Sequence, residues 1–201
     1  MNNTTETKRQ RGRKVAAILA GGLVLGVGTM ATLASWSDNV NASATFTAGK
    51  FNLEGTVDNS TWAEHPAATP GALAFTLPVS AGNLTPGDTT YAAYAVRLDK
   101  TTTTAAKVTI TASSTNTVSN LTYSLIQPTA FGCDATTTGT TLVSSSAVGA
   151  VTGAQTFNLA VGAPPSTAGA PAYLCFKVTA GAGITQGQSG TGTWTFTAVS
   201  Q

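Results

Sequence analysis

From residue 44 onward the apolar residues recur at every second position, and that period restricts the chain to strands with one face buried. Phe46 and Ala48 lead through Gly49 to Phe51, Leu53 and Val57, and Leu73, Phe75, Leu77 and Val79 alternate next. Ala92, Tyr94, Val96 and Leu98 follow, then Val108, Ile110 and Ala112, then Leu121, Tyr123 and Leu125. Later runs are Phe157–Val161 and Leu174–Val178, and the chain closes on Trp194, Phe196 and Ala198. Threonine fills many of the alternate places, and a β-branched polar side chain suits the wet face of a sheet. Turn signals punctuate the runs: TPGD at 85–88, QPTAFG at 127–132, APPSTAGAP at 163–171 and GAG at 181–183. The stretches 134–141 and 163–171 read as mobile loops. No window of a dozen residues after position 35 has helical periodicity. The pattern predicts eight to ten strands in an all-β, antiparallel sandwich of jelly-roll type spanning 36–201 as one domain.

The first 35 residues have a different grammar. A basic head, KRQRGRK at 8–14, precedes an uncharged apolar stretch at 15–34, and small residues follow at Thr32, Ala34 and Ser35. Together these describe a helical secretory signal peptide cut after Ala34 or Ser35. The rival is an uncleaved anchor, since about 20 apolar residues span a bilayer. Four glycines and a preference for Ala over Leu weigh against it. On this reading the chain meets a membrane only during export.

The whole-chain charge of +2 averages these unlike parts. The first 14 residues hold five bases and one acid, and the remainder is weakly acidic with five bases and seven acids. A nucleic-acid partner therefore has no basic surface to meet. Charged residues make up 9% of the chain, and His65 is the single histidine. That scarcity excludes HExxH zinc chemistry and a Ser-His-Asp site, and no DxDxDG calcium loop occurs. No catalytic residue, metal site or cofactor is expected. Trp62, in the loop before the second strand, is a candidate glycan-stacking platform or a packing residue.

Export places Cys133 and Cys175 where disulfides persist, and one bridge between them or two buried thiols are both open.

The residues 28–55, GTMATLASWSDNVNASATFTAGKFNLEG, resemble the start of the TasA/camelysin family. The shared elements are Trp36, Asp38, Ala44, Thr45, Phe46, Ala48, Gly49, Phe51 and Leu53, and NLTPGD at 83–88 is similar to a turn that precedes a long strand there. The resemblance is specific over 15–55 and thinner beyond. It implies processing by a SipW-type signal peptidase and export from a Gram-positive cell. It further implies a jelly-roll subunit of fibres in the biofilm matrix or on the cell surface, with the chain itself as partner. The segment 36–48 is then the piece donated to a neighbour, with Trp36 and Phe46 filling pockets. The plainer alternative makes 44–57 the first strand of the chain's own sheet. Camelysin is described as a metalloprotease, but the single histidine removes the residues that reading needs. A secreted adhesin or wall-polysaccharide-binding sandwich is the second reading.

Overall fold

The computed structural model describes residues 11–19, 37–75, 78–115, 119–152 and 155–201. By backbone contacts the chain divides into Met1–Phe46 and Thr47–Gln201. In the first unit, residues 11–19 are helical, and 37–46 are exposed and carry no regular secondary structure. Among the described residues no helix is long and apolar enough to cross a membrane.

The second unit is an all-β sandwich of eight antiparallel strands. They are β1 (Leu53–Thr56), β2 (Thr89–Leu98), β3 (Ala106–Thr115), β4 (Leu121–Gln127), β5 (Thr140–Ala147), β6 (Gln155–Leu159), β7 (Ala172–Ala180) and β8 (Thr191–Ser200). One sheet has the order β1-β2-β7-β4-β5 and the other β6-β3-β8. Inward residues of the two sheets, among them Val96, Leu98, Val108, Ile110, Tyr123, Leu125, Leu174 and Phe176, form one core. Strand β3 shows the alternation that drives this: Ala106, Val108 and Ile110 are buried, while Lys107, Thr109 and Thr111 face away from the core.

β7 lies centrally in the larger sheet, with β2 on one side and β4 on the other. Leu174, Phe176 and Val178 face the core. Cys175 has the opposite parity yet is 0% exposed, because the loop carrying Cys133 lies over it and a disulfide joins the two residues. A type II turn starts β2: Pro86 and Gly87 occupy its centre, Gly87 has φ 91°, and the Asp88 N–H bonds the Thr85 carbonyl at 3.0 Å.

Two expectations of local structure fail, and a third is displaced at one end. The strand expected from residue 44 begins at Leu53, because Leu53 pairs with Leu98, the last residue of β2. Residues upstream of Leu53 have run past the end of their partner. The strand expected at 73–79 is absent among its described residues, where Pro78 lacks a ladder donor. There the Ala81 N–H reaches back to the Phe75 carbonyl at 3.0 Å. The loop expected at 134–141 is found at 134–139, and Thr140 and Thr141 already belong to β5, which pairs with β4.

Candidate functional site

A jelly roll is a long hairpin, folded over on itself, in which strand 1 pairs with 8, 2 with 7, 3 with 6 and 4 with 5. Here β2 pairs with β7, β3 with β6 and β4 with β5. Among the described residues the remaining pair is missing: β1 lies beside β2, and β8 is bonded to β3 alone. One long margin of β8 is therefore an open edge.

The four sheet edges differ in how they are guarded. β1 is four residues long, carries Glu54, and is partly covered by a bridge from Gly55 to Ala63. β6 is five residues long, and the β4–β5 ladder is broken by register shifts. Short length, charge and bulges are the usual defences of an edge. β8 has none of them: TGTWTFTAVS is ten residues with no charge and no proline, in unbroken register with β3 from Thr191 to Ser200. By ladder geometry about half of its backbone N–H and C=O groups point away from β3.

Beside this edge lies a cavity of about 1180 Å³ between the two sheets. Trp194 and Phe196 of β8 form one wall, and Tyr94, Val96 and Phe176 line it from β2 and β7. Leu73 and Phe75 reach in from the connection before β2. The aromatic rings fall into two groups: Phe176 is 4.8 Å from Trp194, and Tyr94 stacks on Phe196 at 5.8 Å between centroids. Burial pushes the Tyr94 and Tyr123 hydroxyl pKa values up, so both stay neutral well past physiological pH. Trp194 Nε1 is buried with no hydrogen-bond partner among the described residues. The Tyr123 hydroxyl, which donates to the Ala150 carbonyl at 2.9 Å, is part of the residue packed edge-on against that indole. Tyr94, Phe176, Trp194 and Phe196 give this part of the lining an apolar, aromatic character.

The complementary feature lies at the other end of the chain. Residues 37–49 are all exposed and outside any strand; Val40 is 94% and Phe46 92% exposed. Yet the sequence alternates without fault from Val40 through Ala42, Ala44 and Phe46 to Ala48, with Asn, Ser and Thr between. Among the described residues a strand pattern nine residues long thus enters no sheet, and a ten-residue strand has a neighbour on one side alone.

The other residues singled out from sequence fall as follows. Ala34, Ser35 and Trp36 lie outside the described residues. Asp38 is exposed. Cys133 and Cys175 form the disulfide, which closes the alternative of two thiols. Trp62 is half-buried, and the Arg97 guanidinium lies 4.0 Å from its ring centroid, so one indole face is already occupied. Arg97 is held in turn by Glu54 at 3.0 Å. His65 is exposed, with its ring 6.4 Å from that of Tyr94. No group of three or more potential metal ligands occurs among the described residues. Sequence reasoning placed Trp194 in the core and missed its position on an open edge. The signal was present in TGTWTFTAVS, a long strand with no charge anywhere along it.

No protein-family model matches the sequence, and no curated protein is significantly similar to it.

Proposed function

We propose that the chain is an exported structural protein whose copies join by β-strand addition, the segment 39–48 of one copy completing the β8 edge of the next. The observation that carries this reading is the missing jelly-roll pair: an unguarded ten-residue edge on β8, and an exposed segment of matching length and alternation. Inward-facing Ala44, Phe46 and Ala48 of the donor would meet Trp194 and Phe196, and the donor's Ser and Thr would continue the Thr face of β8.

Magnitudes indicate which part of the segment matters. A backbone hydrogen bond contributes about 1 kcal/mol net, and fixing a residue's backbone costs about 1–2 kcal/mol. The ladder alone therefore gives little surplus, and burial of Phe46, worth about 1.5–3 kcal/mol, decides the affinity. Export fits the basic head and apolar stretch ahead of residue 36, and the disulfide fits an oxidising compartment. The product is a fibre subunit of the extracellular matrix or cell surface, released by a SipW-type peptidase as the TasA/camelysin resemblance implies. Its partner is itself, with no role for nucleic acid and no catalytic chemistry.

Electron microscopy and sedimentation of the protein starting at residue 36 test this. Wild type is expected to form fibres, and Phe46→Ser or deletion of 36–43 to leave folded monomers. Persistent wild-type monomers, retained on insoluble cell-wall glycan in a manner lost with Trp62→Ala, would replace the fibre reading with that of a polysaccharide-binding module.

A further inference from the structure

Across residues 15–96 Lys50 is the only basic residue, and it stands three places before β1. Residues 37–49 ahead of it are exposed and enter no ladder, Lys50 is itself exposed, and Phe51 behind it is 40% exposed. Lys50 makes one isolated bridge, to Thr102, in which its carbonyl accepts the Thr103 N–H at 3.1 Å. Firmer attachment begins at Asn52. Its N–H donates to the Thr102 hydroxyl oxygen at 2.9 Å, its carbonyl accepts the Asp99 N–H at 3.1 Å, and Leu53 then opens the ladder with β2. The other bases after residue 50 are placed differently. Arg97, Lys107 and Lys177 lie within β2, β3 and β7, and Lys100 lies in a turn closed by the Thr101 N–H on the Asp99 carboxylate at 2.9 Å. A protease takes its substrate extended, so a bond in a ladder or a closed turn is cut only from a locally opened state. Opening at Lys50 breaks one bridge, whereas opening at the others disrupts a strand or its turn.

We propose that the Lys50–Phe51 bond is a processing site for a protease that cuts after basic residues, and that the cut turns a subunit that gives and receives a strand into one that only receives. This rests on the strand-addition reading and adds its regulation. Hydrolysis adds water across the amide: Lys50 leaves with the new carboxylate at the end of the donor segment, and Phe51 keeps the new amine. The Asn52 bonds, the β1–β2 ladder and β8 all lie on the retained side. A trimmed copy that joins a fibre accepts the last free donor and offers none in return, so growth at that end stops. In an assembled copy the segment 39–48 is paired in a neighbour's sheet and cannot also lie in a protease cleft. Processing therefore acts on unassembled copies and spares assembled ones.

The test treats the full chain with trypsin, first at a dilution where it is monomeric and then as fibres, and follows the products by mass. Beyond residue 14, the cut after Lys50 is expected first in the monomer, about 100-fold faster than any cut after Arg97, Lys100, Lys107 or Lys177, and Lys50→Gln should abolish it. In fibres the same cut should slow about ten-fold or more. The product 51–201 is expected to stay folded, to bind a synthetic peptide of residues 37–50, to form no fibres alone, and to shorten those of the intact chain. Equal rates at Lys50 and at the other bases, equal rates in monomer and fibre, or a product that unfolds would overturn the processing site and leave strand addition standing. So would a folded product that does not change fibre length. Failure of both the intact chain and the product to bind the peptide overturns both readings. The cleavage arm uses the unaltered chain and is read by mass, so it decides whatever the variant does.

Discussion

β7 and β8 are composed in much the same way and have opposite situations. Both are long strands without proline whose inward aromatics, Phe176 and Trp194, touch each other. β7 is flanked by β2 and β4, sealed on its outer face by the Cys133 loop, and Phe176 is fully buried. β8 has β3 on one side and, among the described residues, no strand on the other, and Trp194 and Phe196 are only partly buried beside a cavity. The difference teaches that side-chain pattern fixes which face of a strand is buried, and not whether its backbone is. Two strands with the same alternation become a finished centre and an unfinished margin because one has two neighbours.

The largest expected effect separates these positions directly. Phe176→Ala should cost about 4 kcal/mol, within the range for a fully buried Phe, because the side chain is wholly removed from water and packed against the core. Phe196→Ala should cost about 2 kcal/mol, since part of its surface already faces open space. Urea denaturation of both variants measures the gap; equal losses would mean that the β8 side is packed as tightly as the centre. Next comes the disulfide. Its sequence separation of 42 gives about 4 kcal/mol in the chain-entropy account, and Cys133→Ser with Cys175→Ala should lower stability by that amount. The bridge ties a loop to β7 and touches nothing on β8, so assembly rate at temperatures where the variant remains folded should be unchanged.

A smaller effect is expected at Trp62. Stacking of Arg97 on an exposed-side indole is worth about 0.5–1 kcal/mol, and Trp62→Ala should cost no more than about 1 kcal/mol in the same denaturation experiment. A larger loss would place Trp62 among the structural supports of the β1 edge.

The parts of this architecture legible in the sequence are the strands that have at least one long partner. β2, β3, β4, β7 and β8 follow their apolar periods because each has a long partner. β5 was not legible: Leu142 and Val143 are buried in succession, and register shifts against β4 break the alternation that would have revealed it. Residues 44–49 and the described residues of 73–79 were over-read for the converse reason, since both have the period and neither enters a ladder. A period of two records what a segment can do in a sheet. Its partner is set by topology, and for 44–48 the proposed partner is another molecule. The candidate site was half visible: Phe46 was marked as an anchor from the sequence, while the edge that would receive it emerged only from the order of strands.

The smallest effect is electrostatic, and it sharpens the same comparison because the charges are unevenly placed. Residues 135–201 contain no Asp or Glu, so β6 and β8 have no acidic group within their own strands or turns. The turns flanking β1 and β2, and the loop over β7, each close on an aspartate. Asp58 accepts the Thr61 and Ser60 N–H groups and the Thr56 hydroxyl, each at 2.8 Å, and these bonds hold its carboxyl far below the usual carboxylate range. The Thr85 N–H at 2.7 Å and its hydroxyl lower that of Asp88, and the Thr136 hydroxyl and N–H lower that of Asp134. All three have folded pKa values below the unfolded value of about 3.9, so the native state binds fewer protons than the unfolded chain in that range. Their stabilisation is present above about pH 4 and is lost as pH falls through the folded values. All three carboxylates are solvent-exposed, so the loss should be modest. An NMR titration from pH 6 to 2 should move the amides of Ser60, Thr61, Thr85 and Thr136 first, with β8 amides shifting only on global unfolding. Early movement of β8 would mean that its open edge is coupled to the acidic turns, and the two sides of the sandwich would then not be independent.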